Sequence, residues 1–158
     1  MAGPWAGRGF TLVELITVMI LLGILAVVAL PNLNQAQGFG AASFNDRVAA
    51  ALRFAQKSAV AHRRTVCATV APGSLTLTID GSFGVGTCAV ALAGPDGANP
   101  AASAPANVTL TAVPAGPLYF QPSGAVTSNA AGTTIANFTL TVTGQTAITV
   151  TGATGYVN

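Results

Sequence analysis

Apolar positions follow three rhythms along the chain. Residues 10–30 are apolar except for Thr11, Thr17 and Glu14. As a helix such a run rises roughly 31 Å, enough to cross a bilayer core. Apolar side chains then recur at Phe44, Val48, Leu52, Ala55 and Ala59, the spacing of a single helical stripe. Arg53, Lys57 and Arg64 fall on roughly the opposite face with Arg63 nearby, so a helix to about Arg64 is expected, its stripe against a sheet. Between the two rhythms, Pro31 and Gln37-Gly38-Phe39-Gly40 should weaken or kink the helix. Beyond Arg64 the composition changes to Thr, Val, Ala and Gly, and the period falls to two. Strands are predicted over residues 65–71, 75–80, 88–92, 108–113, 118–121, 135–143 and 146–151. Leu75-Leu77-Ile79, Phe138-Leu140-Val142 and Ile148-Val150 alternate as half-buried antiparallel strands do. Gly144-Gln145 reads as a two-residue hairpin with Gly first, as a type II′ turn prefers. Residues 93–106, with Gly94-Pro95-Asp96-Gly97 and Asn99-Pro100, read as a long exposed loop. The fold class is therefore α+β, a long N-terminal helix packed on a small antiparallel β domain.

Charge orients this plan. The formal net charge is +2, and all six basic residues lie at or before Arg64. Arg8 is the only one close to the apolar run, so the positive-inside rule keeps the N-terminus in the cytoplasm and sends the rest across. Residues 65–158 carry only Asp80 and Asp96, which gives little electrostatic protection against association and suits a subunit packed in a polymer. Glu14 is the exception inside the run, where a carboxylate costs a few kcal/mol and usually has a partner. No Lys, Arg or His lies between Phe10 and Asp46. A cut after Gly9 would supply a cation, the new α-amino group of Phe10, one turn before Glu14 or on a neighbouring subunit. The alternative is a snorkelling or protonated Glu in an ordinary anchor. A secretory signal fits poorly, because its shorter apolar core precedes the cut and no Ala-x-Ala site ends this run.

Gly9-Phe10-Thr11-Leu12-Val13-Glu14-Leu15, the long apolar run and Pro31 resemble the N-terminus of type IV pilins and type II secretion pseudopilins. That resemblance implies cleavage between Gly9 and Phe10 by a prepilin peptidase, N-methylation of Phe10 by the same enzyme, and a role for Glu14 in assembly. It divides the chain into a leader (1–9), a transmembrane and assembly helix (10–30), its periplasmic continuation (31–64) and a β domain (65–158). A narrower resemblance is to the GspH/FimT group of minor pilins and pseudopilins. It rests on Leu52-Arg53 through Ser58, Arg63-Arg64, the strand around Cys67, and Phe120-Gln121-Pro122-Ser123-Gly124. The end, Thr154-Gly155-Tyr156-Val157, resembles MSHA-type minor pilins. The Trp and acidic residues that many members carry after the first hairpin are absent here, since the one Trp is Trp5.

Little else suggests chemistry. Cys67 and Cys88 are the only cysteines and lie outside the cytoplasm by this topology, which favours a disulfide over two free thiols or a metal site. Gly81-Ser82-Phe83-Gly84-Val85-Gly86 lacks the ending of a phosphate loop and reads as a hairpin loop. After Arg64 there is no Lys, Arg, His or Glu, and His62 has no indicated nucleophile or orienting acid, so no enzyme is expected. Neither a cofactor nor calcium is expected with so few carboxylates. Arg53, Lys57, Arg63 and Arg64 are the only DNA-binding candidates, too few for strong duplex binding, so nucleic acid is not an expected partner. The expected function is a minor pseudopilin or pilin, a structural subunit of a type II secretion pseudopilus or type IV pilus. It would sit single-pass in the bacterial inner membrane with its C-terminal domain periplasmic, and its partners would be the peptidase, the membrane and other pilins. The alternatives are a DNA-binding minor pilin for natural transformation and a membrane-anchored β domain outside any filament.

Overall fold

The computed structural model describes residues 10–84 and 86–158, and for 27–37 the backbone alone. The leader, with Gly9, lies outside the described residues. One helix, α1 (Leu12–His62), carries both apolar rhythms and continues through Gly38, Phe39 and Gly40, where the sequence predicted weakening. The chain divides into two compact units, Met1–Gln37 and Gly38–Asn158. Among the described residues no helix is long and apolar enough to cross a membrane. The predicted span, residues 10–30, runs partly beyond the described side chains.

Among its described residues the second unit holds nine strands, β1 (Val66–Ala71), β2 (Ser74–Ile79), β3 (Val90–Leu92), β4 (Ala102–Ser103), β5 (Leu110–Val113), β6 (Leu118–Phe120), β7 (Val126–Thr127), β8 (Phe138–Val142) and β9 (Ile148–Val150). They form two sheets. The first has the order β3-β2-β1-β6-β7, with β4 also pairing β2, and the second is β5-β8-β9. Every ladder is antiparallel. In β1, Val66 sits opposite Ile79 on one side and Phe120 on the other.

Alternation decides which face each strand buries. Leu75, Leu77 and Ile79 of β2 point inward, as do Phe138, Leu140 and Val142 of β8. The helical stripe Phe44, Val48, Leu52, Ala55 and Ala59 is buried with them in one apolar cluster. Each large side chain fully withdrawn from water contributes about 1.5–3 kcal/mol. Ala51, Ala55 and Ala59 contribute less area, but their small size lets the helix approach the sheets closely.

Three details differ from the sequence expectation. The predicted loop over 93–106 contains β4, and β7 follows the Phe120–Gly124 segment. Two-residue strands are too short to carry a period. The β8–β9 connection turns on Thr143-Gly144, where the Gln145 N–H donates to the Val142 carbonyl at 3.0 Å. Gly144, at φ 73°, is the second central residue of that turn, whereas a type II′ turn needs glycine at the first. The helix also stops two residues before Arg64, because Arg63 turns into the left-handed region at φ 53°. The Arg64 N–H then reaches back to Ala59 O at 3.2 Å and the Arg63 N–H to Val60 O at 3.3 Å, the pairing of a Schellman end.

Candidate functional site

The start of α1 is built by a cap. Thr11 precedes the first helical residue, and its Oγ1 accepts the N–H of Glu14 at 3.3 Å. Thr-x-x-Glu is the spacing of a capping box, with Glu14 at the third helical position and in the first turn, where a negative charge complements the helix dipole. That spacing is visible in the sequence, where the lone carboxylate of the apolar run points to charge alone. The Thr17 hydroxyl donates to Glu14 O at 2.9 Å and holds the next turn. Beyond the cap every described side chain to Ala26 is exposed. Phe10 is 83% exposed, Leu12 76% and Leu21 60%. The surface is apolar all round and carries one carboxylate near its end.

The cations of the helix do not gather into a single patch. Arg53 donates through Nε to the Val157 carbonyl at 3.3 Å, and Gln56, one turn on, donates through Nε2 to Thr154 O at 2.8 Å. Lys57 is exposed between them and the helix end. Arg63 and Arg64 lie past the last turn, where with His62, Ser82 and Phe83 they line a shallow depression.

Three segments far apart in sequence meet at Gly155: the helix at Gln56, the turn that ends at Gly124 and the C-terminal residues. Phe120-Gln121-Pro122-Ser123-Gly124 forms the β6–β7 turn, closed by Gln121 N–H to Ala125 O at 2.8 Å and by Gly124 N–H to Gln121 O at 2.9 Å. The C-terminal residues fold back along β9: the Thr151 N–H donates to Tyr156 O at 2.8 Å and the Asn158 N–H to Thr149 O at 3.0 Å. Gly155 is where these pieces touch. Its φ is 65°, and a Cβ there would overlap the Gly124 carbonyl oxygen and come within 2.8 Å of Gln56 Nε2. Two of the segments that carry the narrower resemblance, the helix around Arg53 and Gln56 and the Phe120–Gly124 turn, therefore meet the chain's end in one junction. No signal in the sequence indicates this junction, because side chains 98 and 104 residues from their carbonyl partners make it.

A second brace lies by the loop over 81–87. The structure joins Cys67 on β1 to Cys88, with Cα atoms 6.0 Å apart. Asp80 is fully buried, and its Oδ2 accepts the Gly86 N–H at 2.7 Å while Oδ1 accepts the Cys88 N–H at 2.6 Å. Two charge-assisted bonds offset much of the cost of burying that carboxylate. Sequence reading left Asp80 isolated because its partners are backbone groups.

Residues 45–155 match the family described as type II transport protein GspH, which covers most of the chain. The chain belongs to the GspH family. Residues 7–30 also match the prokaryotic N-terminal methylation motif, so Gly9, Phe10 and Glu14 all fall within it. The family is one of pilin-like structural proteins rather than enzymes, and its members are anchored in membranes and assemble with other pilins. No curated protein matches the chain. Among solved structures, the crystal structure of the type IV minor pilin FimU from Pseudomonas aeruginosa is 18% identical, covers 79% of this chain and 88% of that one, and has a TM-score of 0.49. Among the described residues no group of three or more His, Cys, Asp or Glu is placed to hold a metal ion.

Proposed function

We propose that this GspH-family chain is a minor pseudopilin or pilin, a structural subunit of a secretion pseudopilus or type IV pilus. In this reading a prepilin peptidase cuts between Gly9 and Phe10 and methylates the Phe10 amine. The apolar helix holds the subunit in the inner membrane, N-terminus inward, until it is drawn into a filament. The observation that carries the reading is the capped, all-round apolar start of α1, whose side chains are exposed while the second unit buries a core of its own. A helix apolar on every face needs an apolar environment on every face, as a bilayer or a bundle of like helices supplies. Glu14 then meets the new Phe10 amine of its own or a neighbouring chain as the helices pack. Pseudopilus and pilus share this packing, and the proposal covers both.

Intact mass of the protein from cells with active peptidase tests it. The expected species lacks nine residues and carries one added methyl group. An uncut N-terminus in such cells would sink the proposal.

A further inference from the structure

We propose that Phe83, Arg63 and Arg64 form a docking surface for an acidic segment of a different protein, one that sets carboxylates around an apolar side chain. The inference does not rest on filament formation.

Phe83 is 74% exposed, although most large apolar side chains of the second unit are buried. It shares its depression with Arg63 and Arg64 just past the end of α1. The loop that carries it is fixed at its far end. The fully buried Asp80 accepts the backbone N–H groups of Gly86 and Cys88, and the disulfide ties Cys88 to the central strand β1. Arg63 adds a second clue. It occupies the left-handed position of the Schellman end, where glycine is the favoured residue and any side chain costs about 1 kcal/mol. The helix dipole accounts for positive charge near this end, but not for an arginine at that backbone position or for an exposed Phe beside it.

Charge complementarity selects the partner. Residues 65–158 contain no cation and only two carboxylates, Asp80 and Asp96, so that part of the chain offers Arg63 and Arg64 few acidic partners. A second copy has no matching segment, because its exposed carboxylates in this unit, Asp46 and Asp96, are single charges far apart in sequence. Duplex DNA needs a wider spread of phosphate-neutralising cations than two arginines and a histidine provide. A short protein segment with flanking carboxylates and a central apolar side chain matches both the charge and the ring.

The test is a calorimetric titration of the full chain in neutral detergent micelles with the peptide Asp-Glu-Phe-Glu-Asp, the peptide Asn-Gln-Phe-Gln-Asn and a short DNA duplex. The acidic peptide should bind saturably and more weakly as salt rises, and the other two should bind at least about tenfold less tightly. Arg63→Glu with Arg64→Glu should weaken the acidic peptide by about tenfold or more, and Phe83→Ala by a similar factor. Arg63→Gly guards against a folding artefact: it should raise the unfolding midpoint while still weakening the peptide. No saturable binding of the acidic peptide, equal binding of the neutral one, or tighter binding of DNA would overturn the proposal. So would Arg63→Gly or Phe83→Ala chains that bind as the parent does.

Discussion

From Leu12 to Leu25 the helix holds its large apolar side chains in the open, Leu12 at 76% exposure and Leu21 at 60%. From Ala41 to Ala59 the same helix hides Phe44, Val48 and Leu52 almost completely. The difference does not come from how apolar the residues are. In the second stretch the apolar residues form one stripe, and Asp46, Arg47, Arg53 and Lys57 occupy the outward side. A sheet covers one side of a helix, so a stripe is what a sheet can satisfy. The first stretch has Leu, Val, Ile or Met on every side, and no single sheet face would cover it. Hence the pattern of one stretch points to a core within the chain and that of the other to an environment outside it.

Truncation at one site in each stretch is the sharpest way to break the contrast. Leu52→Ala removes a fully buried side chain from the core and should destabilise the second unit by about 2–5 kcal/mol. Leu21→Ala should leave that unit's unfolding midpoint unchanged. Thermal unfolding of the full chain in micelles, followed by the circular dichroism of the strands, measures both. Similar losses from the two variants would mean that the first stretch also belongs to a core.

The disulfide comes next in size. Cys67 and Cys88 are 21 residues apart, and closing such a loop restricts the unfolded chain by about 3 kcal/mol in the chain-entropy model. Cys67→Ser with Cys88→Ser should lower the denaturant midpoint of the second unit by a corresponding amount, and reduction of the parent should match it. An unshifted midpoint would show that the bond adds nothing beyond the Asp80 bonds to Gly86 and Cys88.

The same contrast shows what was legible in the sequence. Both helical rhythms, the strand faces of β2, β8 and β9 and the pairing of the two cysteines follow from period and count, which are local properties. The two-residue strands β4 and β7 escaped because they have no period, and the hairpin at Thr143-Gly144 because its glycine serves a different turn position. Arg53 read as a free cation, since its acceptor is a carbonyl at the far end of the chain. The Asp80 brace was hidden for the same reason, its donors being backbone N–H groups that any residue supplies.

Gly155 tests that long-range junction. Gly155→Ala would need a side chain in the left-handed region and a Cβ overlapping the Gly124 carbonyl oxygen, so the turn or the chain's end must move. The expected cost is about 1–3 kcal/mol in chemical denaturation, with faster hydrogen exchange at Thr151 and Asn158. Arg53→Ala, which removes one partly buried hydrogen bond, should cost less. If Gly155→Ala is neutral, the C-terminal residues are not fastened to the helix as the hydrogen bonds imply.

The smallest effect concerns the exposed stretch and separates two duties of Glu14. At the third helical position, in capping-box spacing with Thr11, Glu14 gives its N–H to the Thr11 hydroxyl, and glutamine suits that position nearly as well. As the partner of a Phe10 amine, it must carry charge. Thr11→Ala should fray the first turn by about 1 kcal/mol, seen as faster amide exchange at Glu14 in micelles, and leave incorporation into filaments near normal. Glu14→Gln should do the reverse, keeping the first turn intact and losing incorporation, as should Glu14→Val. If Thr11→Ala abolished incorporation while Glu14→Gln assembled normally, Glu14 would act by shaping the helix end, and its charge would have no part in assembly.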